Sequence, residues 1–202
     1  MLRKSLVLVV SVLLIMSAVA LGAEDIVIGL VTPVTGDVAT FGMSVRNAAL
    51  LWEKQVNGRG GIQGRKVKVI VEDDKGTPSE SANAVSKLIN QSKVLMIMGP
   101  VTSKCANAGA PIGQASKVPV LTPTATDQAV TAIGNYVFRA CFIDPFQGQV
   151  MGKFALETLK AKTAAMLYDI GNDYTKGLAE NFQEFFEAGG GKVVVSETYG
   201  VG

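Results

Sequence analysis

Residues 26–31 run Ile-Val-Ile-Gly-Leu-Val, an unbroken apolar stretch of the kind that fills a strand buried on both faces. Thr32-Pro33 through Gly36 breaks it. From residue 40 to 57 the period changes: Phe41, Val45, Ala48, Ala49, Trp52 and Val56 recur at three- and four-residue spacing. That spacing predicts an amphipathic helix, stopped by Asn57-Gly58-Arg59-Gly60-Gly61. Residues 67–71 alternate into a second strand that ends at Glu72-Asp73-Asp74. Thr77-Pro78-Ser79-Glu80 has the form of a capping box with proline at the first helical position. Ala82, Val85, Leu88 and Ile89 give the helix that follows its buried face. Strands are predicted over 94–98, 118–121 and 136–140, and a close-packing helix rich in alanine and glycine from Ser103 to Ser116. Asp144-Pro145-Phe146-Gln147 has the form of a second capping box, with Asp144 as cap. Its helix carries Phe146, Val150, Phe154 and Leu159. A strand over 164–168, a helix over 174–188 with Tyr174, Leu178, Phe182, Phe185 and Phe186 on one side, and a last strand from Val193 complete the pattern.

Strands alternating with helices in this way predict an α/β fold, a doubly wound parallel sheet covered on both faces. Five strands by residue 140 make one complete lobe. The single helix–strand–helix–strand run after 144 is too little for a second. The expected organisation is a leader over 1–23, a ligand-binding lobe over 24–142 and the start of a second, truncated lobe over 143–202. The chain ends at Tyr199-Gly200-Val201-Gly202, in turn residues.

The leader follows from Arg3 and Lys4, the apolar residues after them and the small residues Ser17-Ala18-Val19-Ala20-Leu21-Gly22-Ala23, a secretory signal pattern. Cleavage after Ala20, Gly22 or Ala23 fits, and an uncleaved anchor is the alternative. The whole chain has 19 basic and 17 acidic residues. Removing Arg3 and Lys4 leaves the exported part formally neutral, with no basic patch for nucleic acid or an anionic membrane. In an exported chain the two cysteines suggest one disulfide, Cys105–Cys141, against the alternative of two separate buried thiols.

With no histidine in the chain, serine and cysteine triads are excluded, and a zinc site has too few ligands. Gly58-Arg59-Gly60-Gly61-Ile62-Gln63-Gly64 has the wrong spacing and sits before a strand rather than before a helix, so it is no dinucleotide fingerprint. Gly29 to Gly36 lacks the Lys-Ser/Thr of a P-loop. Glu72-Asp73-Asp74 at a strand end suits solvation or capping better than a cation. The stronger signal is positional, because ligands of open parallel sheets bind at the carboxyl ends of strands. Those ends here carry Thr102-Ser103 and Thr122-Pro123-Thr124-Ala125-Thr126. Ser103 opens a helix, where its hydroxyl and free backbone N–H groups suit a carboxylate. Asp144 suits an ammonium, and Phe41 and Tyr174 suit an apolar side chain. Together they describe an amino-acid pocket; the alternative is that Ser103, Thr126 and Asp144 only cap helices.

Several segments in combination carry a family resemblance: Ile26-Val27-Ile28-Gly29, Pro33-x-x-Gly36, Phe41-Gly42, Asn57-x-x-Gly60-Gly61-Ile62-x-Gly64, Asp73-Asp74, Gly99-Pro100-x-x-Ser103, Thr122-Pro123-Thr124-Ala125-Thr126, Phe138-Arg139, Asp144-x-x-Gln147-Gly148 and Tyr174. From Ile26 onward the chain resembles the type I periplasmic binding proteins, specifically the branched-chain amino-acid group that serves ABC importers. The resemblance implies that Ser103 binds an α-carboxylate, that Thr124 contributes backbone, and that Thr126 meets both carboxylate and ammonium. Phe41 and Tyr174 would line the side-chain pocket. Members take their ammonium-binding acid from later in the second lobe. The function implied is capture of an amino acid between two lobes and delivery to the permease subunits of an ABC importer, by a periplasmic monomer with no enzymatic activity and no cofactor. A ligand-sensing domain of the same fold, in a receptor or an amide or urea sensor, is the alternative. A secreted enzyme of flavodoxin-like architecture is disfavoured by the missing histidine and phosphate loop.

Overall fold

Apolar strands separated by crossover helices fold here into two parallel sheets. The computed structural model describes residues 24–200; the leader predicted over 1–23 lies outside the described residues. In chain order the elements are β1 (Ile26–Thr32), α1 (Ala39–Gly58), β2 (Val67–Asp73), α2 (Pro78–Asn90), β3 (Met96–Met98), α3 (Ser103–Ser116), β4 (Val120–Thr122), a single turn α4 (Ala129–Ala132) and β5 (Val137–Arg139). They continue with α5 (Asp144–Lys153), β6 (Thr163–Asp169), α6 (Asp173–Ala188) and β7 (Lys192–Tyr199). A π-helical turn over Phe154–Thr158 extends α5. The first five strands form one sheet in the order β2-β1-β3-β4-β5, and β6 pairs with β7 in a second sheet. Every pairing is parallel. This is the doubly wound α/β fold that the alternation predicts. In this order the chain leaving β1 turns one way, to β2, and the chain leaving the adjacent β3 turns the other way, to β4, which leaves a crevice at the carboxyl ends of the strands.

Strand alternation divides the core. Ile28 and Leu30 face α1 with Val67, Val69 and Ala49. Val31, Ile97, Val120 and Val137 face the other way, against Val85 and Leu88 of α2 and Ala106 and Ala110 of α3. Each such large side chain, taken fully from water, contributes about 1.5–3 kcal/mol before entropy is counted. The small residues of α3 let it approach closely: a Cβ on Gly109 would stand 2.9 Å from Ser81 Oγ.

Three local expectations are corrected. Thr77 caps α2, but its hydroxyl makes no capping bond; it leans toward the Asp74 carbonyl at 3.5 Å, and Glu80 pairs with Lys75 at 3.6 Å. At α5 the cap is Ile143, so Asp144 lies inside the first turn. The apolar residues of α5 do not form its contact face: Phe146 and Val150 are 56% and 47% exposed, and Phe154 and Leu159 of the turns beyond are exposed too. Gly148 and Gly152 are buried instead, because only residues without side chains let α5 sit on Asn181 and Phe185 of α6.

The expected Cys105–Cys141 bridge is absent; both thiols are free. A disulfide needs the sulfurs about 2 Å apart, and here they serve different neighbourhoods. Cys105 is buried on α3 beside Thr102 and Asp74, and burial pushes its thiol up to about 11. Cys141 leans on the Ala125 carbonyl oxygen, 3.5 Å away.

Candidate functional site

At the carboxyl ends of the strands a cavity of about 410 Å³ lies between the five-stranded and two-stranded units. Val38 and Phe41 wall it after β1, Val101 to Ser103 after β3, and Thr124 and Thr126 after β4. Phe142 comes from the crossover and Gln147 from α5, and Asn172 and Tyr174 from the cap and first turn of α6. The structure thus brings Ser103, Thr124, Thr126, Phe41 and Tyr174 to one cavity. Ala125 and Asp144 are buried behind that wall, 1% and 2% exposed. A groove of about 360 Å³ along β6 and α6 is lined mainly by apolar side chains such as Met151, Leu167, Leu178 and Phe182. Its hydroxyls come from Tyr168, Thr175 and Tyr199, and that of Thr175 is spent on the Asp169 carbonyl at 2.6 Å.

The turn that delivers Phe41 is held by Asp73. Its carboxylate accepts the amides of Val34 at 2.9 Å and Lys75 at 2.9 Å, together with the amide and hydroxyl of Thr35. Burial acts to raise this acid, but the Thr35 hydroxyl and the three amides outweigh it and hold the carboxyl below its ordinary range. The acidic run at the end of β2 therefore works as a loop anchor.

Hydroxyls stitch the other two strand ends together. Thr122 Oγ1 donates to the Pro100 carbonyl at 2.7 Å and accepts from the Ala125 amide at 3.1 Å. Thr124 Oγ1 donates to the Val101 carbonyl at 2.6 Å, so it has no proton left for a ligand. Arg139 clamps the same loop through the Ala125 carbonyl at 2.9 Å and the Thr131 hydroxyl at 2.8 Å. Ser103 is different. As the first residue of α3 it sits beside the unpaired amides of a helix N-terminus. Its oxygen accepts from the Asp127 amide at 3.3 Å, which leaves its proton free. Across the cavity, Gln147 Nε2 donates to the Tyr174 hydroxyl at 3.1 Å, and the Tyr174 amide donates to Asn172 Oδ1, the α6 cap, at 3.2 Å. The result is a pocket lined both by hydroxyl and amide donors and by the apolar side chains of Val38, Phe41, Val101 and Phe142. It suits a small ligand with an anionic group and an apolar body.

Sequence reasoning missed Val38, Val101, Thr102, Phe142, Gln147 and Asn172. Thr102 stood in the hydroxyl pair before α3 and could have been included. Gln147 looked like a capping residue, and its pairing with Tyr174 exists only once α5 meets α6.

Asp144 carries a testable consequence. Both its oxygens are buried without a hydrogen-bond partner. Burial, reinforced by Asp127, pushes its carboxyl above the ordinary value of 3.8, against the opposing pull of Thr126 and Arg139. The folded chain therefore binds this proton more tightly than the unfolded chain. Its favourable contribution is complete below the unfolded pKa and is lost as pH rises through the folded one. Asp144→Asn removes the penalty. The variant is expected to be about 1 kcal/mol more stable at pH 7, with the gain shrinking as the pH falls toward the unfolded value. Urea unfolding across that range measures it; a gain that does not change with pH assigns it to another cause.

Known proteins similar to this chain are solute-binding proteins. The Leu/Ile/Val-binding protein BraC3 of Rhizobium johnstonii is 37% identical over 178 residues, which is 88% of this chain and 48% of that protein. The branched-chain amino acid transporter substrate binding protein LivJ from Streptococcus pneumoniae, solved in complex with isoleucine, matches with a TM-score of 0.83 at 32% identity, covering 88% of this chain and 50% of that one. A solute binding protein of an ABC transporter from Rhodopseudomonas palustris, in complex with 3,4-dihydroxy benzoic acid, matches with a TM-score of 0.78 at 28% identity, covering 88% and 47%. The chain spans about half the length of the curated relatives it matches. The family described as periplasmic binding protein matches residues 25–202, and with the doubly wound fold and a cavity at the ends of its strands, the chain belongs to that family.

Proposed function

We propose that this chain forms the ligand-capturing half of an extracytoplasmic solute-binding protein that takes up a branched-chain amino acid and hands it to the permease of an ABC importer. Residues 24–142 act as the first lobe and 143–202 begin the second, with the leader removed on export. The observation that carries this reading is the single cavity in which Ser103 and Thr126 of one unit face Tyr174 of the other. The Ser103 hydroxyl and the α3 amides bind the α-carboxylate, Thr124 offers backbone, and Thr126 adds its hydroxyl. Val38, Phe41 and Phe142 cover the aliphatic side chain. Contacts to both units bias the pair toward closure, by no more than the difference in affinity between the open and closed forms. Binding and hand-over involve no bond chemistry, so no enzymatic activity is assigned.

Titration calorimetry of the full-length protein tests the reading. Leucine, isoleucine and valine are expected to give saturable heat. If none of them does, and other neutral amino acids are also silent, the amino-acid assignment fails. The two phenylalanines in the cavity wall, Phe41 and Phe142, together with the Rhodopseudomonas protein, support one second reading, an aromatic carboxylate. Heat from benzoate or 3,4-dihydroxy benzoic acid in place of leucine selects it.

A further inference from the structure

Away from the crossover, one side-chain hydrogen-bond cluster joins the two units among the described residues. Asn107 Nδ2 donates to Asp127 Oδ2 at 2.7 Å and to Asp173 Oδ2 at 2.9 Å. We propose that Asn107 is a positioning residue: by giving its two amide protons to carboxylates on opposite sides of the cleft, it holds the Tyr174-bearing turn over Ser103 and sets how long the cleft stays shut. The proposal rests on the solute-binding reading for its ligand and goes beyond it in assigning closure to a residue outside the pocket.

The placement follows from helix geometry. Asn107 lies four residues after Ser103 on α3 and therefore on the same face. Asp127 is tied to Ser103 directly, since its amide donates to the Ser103 oxygen at 3.3 Å. Its other carboxylate oxygen accepts the Ala129 amide at 3.0 Å, which fixes its rotamer. Asp173 is the first residue of α6, between the cavity residues Asn172 and Tyr174. A ligand spanning Ser103 and Tyr174 thus lies next to the cluster, because Asp173 and Tyr174 are consecutive residues.

The chemistry gives asparagine a specific part. Two carboxylates brought side by side across a gap repel each other. The neutral amide supplies one proton to each and turns an opposing pair into a bridge, without a cation that would itself have to be desolvated. Alanine at 107 removes the bridge and leaves the repulsion. Asp173→Ala removes the same cross-cleft bond from the other side and leaves the Asn107–Asp127 contact in place.

The test compares Asn107→Ala, Asp173→Ala and the double variant in the full-length protein. It measures leucine association and dissociation by stopped flow, the ligand-free radius of gyration by small-angle scattering, and Tm. Each single variant is expected to speed leucine dissociation roughly three- to tenfold, the range of one partly exposed hydrogen bond. Association and Tm should change little. The double variant should be no faster than either single one, because both remove one interaction. The ligand-free radius should rise in all three. Unchanged dissociation, additive single effects, or a Tm loss that tracks the rates overturns the proposal. If the wild-type protein does not bind leucine, the functional reading fails on its own, and the ligand-free radius alone decides the role of Asn107: a rise upholds it and no change overturns it.

Discussion

Replacing Ser103 with alanine is expected to weaken leucine binding about 10- to 100-fold, the cost of removing one hydrogen bond to a charged group, while the fold survives. The reason is how the hydroxyls of this region are already used. Thr122 and Thr124 spend their protons on the Pro100 and Val101 carbonyls. Ser103 receives the Asp127 amide and keeps its own proton. It also stands where the N–H groups of α3 have no intrahelical acceptor, so an anion there meets several donors at once. Alanine removes the Ser103 hydroxyl and leaves the helix amides and Thr126, which is why binding weakens rather than disappears. Thr124→Val is the contrast: it breaks the 2.6 Å tie to Val101 and should act on stability first. Calorimetry of both variants separates the roles, and an unchanged affinity in Ser103→Ala takes Ser103 out of the site.

What could be read from the residues alone follows a physical boundary. The parallel sheet was legible because Ile26 to Val31 has no polar position to turn toward water and because strands alternate with helices; the small-residue helix expected over Ser103–Ser116 forms at those bounds. Ser103, Thr124 and Thr126 were legible as a group because strand ends in such sheets converge. The properties that depend on what packs from another element were not. Phe146 and Val150 recur at helical spacing, yet they stay exposed because Gly148 and Gly152 take the contact with α6. Asp144 was visible as a charge but not as a buried one. Cys105 and Cys141 were visible as a pair but not as thiols turned to different neighbours. Asn107, in a helix of alanines and glycines, gave no signal until Asp127 and Asp173 arrived on either side of it.

Gly42→Ala is expected to cost roughly 3 kcal/mol or more, the scale of an overpacked contact that cannot relax. The added Cβ would stand 1.9 Å from the Pro33 carbonyl oxygen and 2.6 Å from its carbon. Both are backbone atoms at the end of β1, so no rotamer change makes room; α1 has to lift away from the strand. That movement breaks the hydrogen bond from the Thr32 hydroxyl to the Gly42 carbonyl, 3.0 Å long and buried. It also carries Phe41, the neighbouring residue, off the cavity wall. Stability and binding should therefore fall together, unlike in Ser103→Ala, where binding alone falls. Gly58 at the far end of α1 is the control, because a Cβ there meets nothing within 4 Å. Alanine at 58 should be neutral or stabilising by up to about 1 kcal/mol. Urea unfolding of the two variants measures the difference. Equal midpoints would show that α1 can shift on β1 without loss, and the close backbone contact at Pro33 would then not be what sets the position of Phe41.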